Sequence, residues 1–344
     1  MKEITKYIRP NILALQPYST ARDEFKGGDI SVWLDANESP YPNGVNRYPD
    51  PHQKCLKAAV SEIMGMPAES IFIGGAGSDE AIDLVYRIFC RPGLDNAIAI
   101  APSYGVYKVA AEINDIALRE VLLNPDYSLP VERLLQATDP DTKVIWICSP
   151  NNPTGNAFPT EDILRLADGF DGIVVADEAY VDFSEKGSLL PHIAAHPNLI
   201  VLRTFSKAWG MAGMRAGMAF AVPEIIGYFD RVKYPYNMSS LIQEELLRRI
   251  ALGTGNHIPE IKAEARRLSE ALAPMAVIDK VYPTDANFIL VKTADADRLY
   301  DYLISHGVIV RNRSRMPLCE GTLRITVGTP EENSRVIQLI SDYR

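Results

Sequence analysis

Leu199-Ile200-Val201-Leu202-Arg203-Thr204-Phe205-Ser206-Lys207-Ala208-Trp209-Gly210-Met211-Ala212-Gly213-Met214-Arg215-Ala216-Gly217 is the stretch on which the rest of the chain is organised. An apolar run of buried-strand type, Leu199 to Leu202, empties into a loop that sets one lysine between a serine and a glycine-rich segment ending in an arginine. A lysine amine that condenses with an aldehyde must be held still, partly desolvated and near other positive charge, so that its neutral form is accessible near neutral pH. Ser206 and Arg215 suit a different task, because a hydroxyl and a guanidinium fork match a phosphate group. Taken alone, Lys207 reads as a solvated loop residue, since lysines are mostly exposed. The surrounding strands change that reading.

Upstream, short apolar runs alternate with helical patterns. Ile71-Phe72-Ile73 predicts a strand, Gly74 to Gly77 a tight turn, and Ser78-Asp79-Glu80 the start of a helix. Strands are expected at 97–101, 117–122, 143–148, 172–177 and 199–202, with helices at about 53–64, 104–113, 131–136 and 160–167. Such alternation predicts an α/β fold with a mainly parallel sheet covered by helices on both faces. Gly77, Asn152, Asp177 and Lys207 then fall just beyond the carboxyl ends of strands, where ligands bind in open α/β sheets. Four separate loops converge on one crevice.

The pattern changes after Pro223. Helices are expected at 224–232, 239–252, 258–272, 296–305 and 330–341, with strands at 276–281, 287–291, 308–311 and 322–327, which suggests a smaller α+β domain. The expected division is 1–42 as an N-terminal arm and part of the small domain, 43–237 as the large domain, and 238–344 as the small C-terminal domain.

Composition narrows the partners. A chain of 344 residues with 47% hydrophobic content buries a sizeable core. A formal charge of -9 without a lysine or arginine block argues against nucleic-acid and anionic-membrane surfaces and leaves small molecules as the expected partners. Neither a signal core nor a run long enough to span a bilayer is recognised, so a cytoplasmic protein is expected. The scattered Cys55, Cys90, Cys148 and Cys319 are expected to be core thiols, and the dispersed histidines predict no metal. The turn Gly74-Gly75-Ala76-Gly77 is neither a P-loop, lacking Gly-Lys-Ser/Thr, nor a Rossmann turn, since Glu80 stands at the third glycine position. Its helix start still suits a phosphate at Gly77 and Ser78.

The crevice reads as a pyridoxal phosphate site, since each group that cofactor needs has a candidate. Lys207 is expected to bond the aldehyde and move a proton at the substrate α-carbon, and Asp177 to keep the pyridine nitrogen protonated. Tyr180 and Asn152 are expected at the ring oxygen, Tyr104 against the ring, and Gly77, Ser78, Ser206 and Arg215 at the phosphate. Each residue has a bland alternative: Asp177 as a cap, the tyrosines as core, Ser149 to Gly155 as turn chemistry. Their joint order at strand ends is what carries the reading.

Ser149-Pro150-Asn151-Asn152-Pro153-Thr154-Gly155, Ala176-Asp177-Glu178-Ala179-Tyr180 and Ser206-Lys207 with Arg215 eight residues on resemble the fold-type I pyridoxal phosphate aminotransferases, from about Tyr18 to the C-terminus. Pro17 to Arg22, Asn37-Glu38-Ser39-Pro40, Asn46-Arg47-Tyr48-Pro49, Arg311 and Leu323 to Thr329 are most similar to the branch acting on histidinol phosphate. The resemblance implies transamination between L-glutamate and imidazole-acetol phosphate. It further implies a homodimer in which Tyr48 reaches the neighbour's cofactor phosphate. Arg324 matches the family's carboxylate-binding arginine; Tyr18, Arg311 and Arg324 are implied around the substrate phosphate, and Asn37 near the substrate. Arg313 and Arg315 lie close enough to Arg311 to leave the choice among the three open. The rival readings are a threonine-phosphate decarboxylase, an aromatic aminotransferase and a non-catalytic pyridoxal phosphate sensor; the last would need a DNA-reading segment that this sequence does not display.

Overall fold

The computed structural model describes residues 3–19 and 31–343. Thr20, Ala21 and Arg22 of the N-terminal motif lie outside the described residues. In chain order, the elements that form the large sheet and its cover are α1 (Pro10–Leu13), α2 (Lys54–Met64), β1 (Ile71–Gly74), α3 (Ser78–Phe89), β2 (Asn96–Ala101), α4 (Val106–Ile113), β3 (Ala117–Leu122), α5 (Val131–Gln136), β4 (Thr142–Cys148), α6 (Thr160–Gly169), β5 (Ile173–Asp177), β6 (Leu199–Thr204), β7 (Gly217–Phe220) and α7 (Pro223–Val232). The remainder comprises α8 (Ser240–Leu252), α9 (His257–Leu272), β8 (Lys280–Val281), β9 (Phe288–Lys292), α10 (Ala296–Ser305), β10 (Arg311–Asn312), β11 (Thr322–Thr326) and α11 (Pro330–Asp342).

Among the described residues, seven strands form one sheet in the order β1-β7-β6-β5-β4-β2-β3. All neighbouring pairs are parallel except those of β7, which runs antiparallel to β1 and β6. The expected α/β architecture is therefore present. Strand residues alternate between two cores: Ile98, Ile100, Val174, Ala176 and Val201 face one, and Ala97, Ala99, Ile173, Val175, Ile200 and Leu202 the other. This period of two, with both faces apolar, is what double coverage by helices requires. Each fully buried aliphatic or phenyl side chain, such as Phe72 or Phe229, contributes roughly 1.5–3 kcal/mol of transfer free energy.

Strand β7 was not legible in the sequence, being four residues of Gly-Met-Ala-Phe without a strong β signal. Its glycine has a steric role. A Cβ on Gly217 would lie 2.1 Å from the Ser78 amide nitrogen, so only glycine lets the start of α3 rest against β7. That contact brings the glycine turn after β1 beside the segment ending in Arg215.

Four further strands form a second, antiparallel sheet in the order β10-β11-β9-β8, backed by a core that includes Leu268, Leu272, Leu299, Leu303, Val336 and Ile340. The strand expected at 276–281 is reduced to β8, because the chain turns first, with the Ile278 amide donating to the Met275 carbonyl at 2.9 Å. The strand expected at 308–311 forms at β10 instead.

The N-terminal segment does not join this smaller unit where its first residues are described. Ile4, Tyr7, Ile8 and Ile12 pack into the core of the large sheet, and the Arg9 amide donates to the Ile88 carbonyl at 3.0 Å. Their apolar spacing on a short turn matches the groove beside α3, which the sequence alone did not expose. Cys55 is a second correction: it is exposed on α2, whereas Cys90, Cys148 and Cys319 are buried as expected. Leu56 and Val60 are the residues of α2 that turn inward, which leaves Cys55 on the outer face.

Candidate active site

Lys207 sits three residues beyond the end of β6. Its loop is fastened by the Ser206 amide donating to Thr204 Oγ1 at 3.0 Å, the Met211 amide to the Phe205 carbonyl at 2.9 Å, and the Gly210 amide to the Lys207 carbonyl at 3.0 Å. Buried Phe205 and Ala208 anchor the same turn and hold the lysine against the wall of a pocket that is open to solvent on the lysine's side. Burial pushes the Lys207 ammonium below its ordinary range, and the Arg324 and Arg215 charges act in the same direction against Asp177 and Asp79. The neutral amine is thereby brought within reach.

Asp177 ends β5 and is wholly enclosed. The Tyr107 hydroxyl donates to its Oδ2 at 2.7 Å and the Ala179 amide to its Oδ1 at 3.1 Å. Burial raises the carboxyl above its ordinary value, and these two hydrogen bonds oppose it. A buried carboxylate held by donors on one side is suited to a cationic partner on the other.

The anion-binding corner is built by two loops locking each other. Gly77 adopts φ 80° and ψ -168°, a conformation open in practice only to glycine, and its amide donates to the Arg215 carbonyl at 2.7 Å. Arg215 itself is left-handed, with φ 51°, and its Nη2 donates back to the Ala76 carbonyl at 3.2 Å and to Asp79 Oδ2 at 3.3 Å. No side chain caps the start of α3, so its first-turn amides remain available to a ligand. Tyr104 donates to Asp79 Oδ1 at 3.2 Å, which holds its ring at the pocket wall.

The pocket thus brings together Gly77, Ser78, Tyr104, Asn152, Asp177, Tyr180, Ser206, Lys207 and Arg215 from loops distant in sequence. Lys207 Nζ lies 5.5 Å from the Tyr180 ring centroid. Arg324, from β11 of the second sheet, donates through Nη1 to Asn152 Oδ1 and stands 5.1 Å over the Phe288 ring. Arg311 is directly opposite Arg324 across the β10–β11 ladder. The two sheets therefore meet at this site.

Besides Arg311 and Arg324, which reach the site from the second sheet, three expected residues do not line this pocket within a single chain. Tyr48 and Asn37 line a separate hollow with Arg47, Glu38 and the start of α8, where Tyr48 stacks on Tyr236 at 4.4 Å. Tyr18 is 74% exposed. Among the described residues of the same segment, Tyr18 and Tyr41 are left largely uncovered by their own chain. Sequence reasoning in turn missed Tyr107, Asp79 and Phe288. Tyr107 stands three residues after Tyr104, a spacing that puts the two on one face of the helix expected at 104–113, and was the one signal available.

The sequence pattern of the family described as Aminotransferase class I and II matches residues 22–340. Histidinol-phosphate aminotransferase of Parabacteroides distasonis is 49% identical to the chain over 346 aligned positions, covering 100% of both. Among solved structures, histidinol-phosphate aminotransferase from Clostridium acetobutylicum superposes with a TM-score of 0.79 at 21% identity, over 87% of this chain and 90% of that one. The Sinorhizobium meliloti histidinol-phosphate aminotransferase, solved in complex with pyridoxal-5'-phosphate, gives a TM-score of 0.79 at 23% identity, over 89% of each chain. At those identities the structures speak to the fold; the sequence match speaks to the family. With Lys207, Asp177 and Arg215 meeting in one pocket, the chain belongs to the class I and II aminotransferases and, within them, to the histidinol-phosphate aminotransferase family.

Proposed function

We propose that this chain transfers an amino group between L-glutamate and imidazole-acetol phosphate, giving L-histidinol phosphate and 2-oxoglutarate as a step of histidine biosynthesis. The observation that carries the reading is the meeting of Lys207 and Asp177 in one pocket with Asn152, to which Arg324 of the second sheet donates, with Arg311 standing opposite Arg324 on that sheet. The cofactor is pyridoxal 5'-phosphate. The residues fit it: a Cβ at Gly77 would come within 2.7 Å of Arg215 Nη2, so this corner admits a close anion only because the backbone is bare. The donor set of amides, hydroxyls and a guanidinium is that of a phosphate cradle.

When bound, this group supplies an aldehyde carbon for an amine and a cationic ring that takes up the electron pair left at a substrate carbon. The chain's own residues do the rest. Gly77, Ser78, Ser206 and Arg215 hold the phosphate, Asp177 holds the ring nitrogen's proton, Tyr180 and Asn152 orient the ring oxygen, and Tyr104 covers the ring. Lys207 Nζ removes the proton from the substrate α-carbon and returns it at the adjoining position, burial making more of the amine available in its unprotonated form. Arg324 binds a donor carboxylate, and Arg311 and Arg324 receive the substrate phosphate.

The chain functions in this reading as a cytoplasmic homodimer with no nucleic-acid or membrane partner, Tyr48 reaching the cofactor phosphate of the neighbouring copy. The exposed aromatic side chains of that segment support it. Among the described residues, no helix is long and apolar enough to cross a membrane. The domain division is proposed at residue 237, with 43–237 carrying Lys207 and Asp177 and 238–344 carrying Arg311 and Arg324.

Visible spectra of the purified protein before and after L-histidinol phosphate, L-glutamate or L-phenylalanine test this. A yellow protein bleached by histidinol phosphate at far lower concentration than by phenylalanine is expected. A yellow protein indifferent to histidinol phosphate overturns the substrate, and carbon dioxide release from threonine phosphate would then identify the decarboxylase.

A further inference from the structure

The alternation of side chains along a strand gives Arg313 the same face as Arg311, with its amide donating to the Thr322 carbonyl at 2.9 Å to continue the β10–β11 ladder. Arg324 is on that ladder, opposite Arg311 and diagonal to Arg313. Three guanidiniums therefore share one face of the ladder, and those of Arg313 and Arg324 lie close enough to Tyr180 for their charges to act on it. Burial first, then Arg324 and Arg311, push Arg313 down to about 10, with Cys319 and Tyr180 acting in the opposite direction. Arg324 is also lowered by burial and by Arg311.

Among the described residues, none of the three has a carboxylate partner, and the Nε atoms of Arg313 and Arg324 are buried without any hydrogen-bond acceptor. Like charges placed opposite one another destabilise a sheet, and a buried unpaired donor adds to that cost. A single carboxylate offers two oxygens and is filled by one guanidinium fork; a phosphate monoester offers three oxygens on one centre and about two negative charges. A cluster of three arginines matches the second ligand better than the first.

We propose that Arg313 is a third anion-binding residue of the substrate pocket, and that with Arg311 and Arg324 it sets the preference for a doubly charged phosphate monoester over amino substrates without one. The inference rests on the reading of this crevice as an aminotransferase site for a phosphate-bearing substrate. It differs from it in the residue that does the selecting.

The test uses the wild-type holoenzyme with R313Q and R313K. Half-reactions with histidinol phosphate, histidinol and glutamate are followed by absorbance, and inorganic phosphate is measured as an inhibitor of the glutamate half-reaction. R313Q should raise the half-saturating concentration of histidinol phosphate by about tenfold or more and weaken inorganic phosphate by a similar factor. Its limiting rate, and its response to glutamate and histidinol, should stay within about threefold of wild type. R313K should recover part of the loss, since lysine keeps the charge without the fork. Relief of repulsion should leave the melting temperature of R313Q no lower than wild type. Unchanged binding of both phosphate ligands, or an equal loss for glutamate and histidinol, overturns the proposal. Should wild type fail to react with histidinol phosphate, the substrate reading falls, and the inorganic phosphate arm alone still decides the role of Arg313.

Discussion

The hydroxyl of Tyr107, on α4, donates to Asp177 Oδ2 at 2.7 Å inside a fully enclosed space, and the same ring stacks on Trp146 with centroids 4.9 Å apart. The packing fixes the donor and the donor fixes the carboxylate. Tyr107→Phe keeps the stack and removes the hydrogen bond, worth about 1.5–3 kcal/mol to a charged group. Cofactor affinity, read by absorbance titration, should fall about tenfold or more with the circular dichroism spectrum unchanged. An unaltered affinity would show that Asp177 does not depend on this donor.

Among the described residues, Lys207 is the one amine lining the pocket. Lys207→Ala should leave no cofactor attached to the protein after borohydride reduction and denaturation, while non-covalent binding through the Arg215 corner persists. Turnover should drop by about a thousandfold or more, since both the attachment and the proton transfer are lost. A reduced, protein-bound adduct in the variant would move the assignment to another lysine.

Gly77→Ala forces a side chain into φ 80°, ψ -168°, a strain of roughly 1–3 kcal/mol, and sets its Cβ 2.7 Å from Arg215 Nη2. The end of Arg215 swings away, so cofactor affinity should decrease more than the melting temperature alone accounts for. A variant with a lower melting temperature but wild-type cofactor affinity would separate Gly77 from the phosphate corner.

Glu178 gives the pH dependence. Burial lifts its carboxyl from 4.5 to about 7, against the Arg203 charge, the Ser188 hydroxyl and the Leu189 amide. The folded chain therefore retains a proton that the unfolded chain has lost between about pH 4.5 and 7, and stability contributed at this site falls as pH rises through that window, by up to about 3 kcal/mol. Glu178→Gln mimics the protonated acid and leaves Arg203 its other partner, Asp182. Thermal melts should be alike for the two proteins near pH 4.5 and favour the variant above pH 7; parallel curves across the range would refute the shift.

How much of this was readable in advance follows from what each feature depends on. Strands β2, β4, β5 and β6 contain continuous apolar runs between turn signals, and the residues just past their ends needed no tertiary knowledge to be placed in a common crevice. Strand β7 escaped because its pairing, not its composition, makes it a strand: it is wedged between β1 and β6 and admitted by the missing side chain of Gly217. Tyr107 escaped for a related reason, since a core aromatic and a hydrogen-bond donor to a carboxylate look the same until the carboxylate is placed.

The sequence by itself determined the α/β class, the two-part architecture and the family of loops that carries Lys207, Asp177, Asn152 and Arg215, because periodicity and turn chemistry are local properties. Tertiary structure alone decided which arginines share a face. Arg311, Arg313 and Arg324 become neighbours through the register of β10 on β11, and Arg324 meets Asn152 only because the second sheet closes on the end of the first. It alone, too, placed the first residues of the chain on the large sheet and left Tyr18 facing outward, since burial depends on what surface is within reach rather than on the residues that are buried.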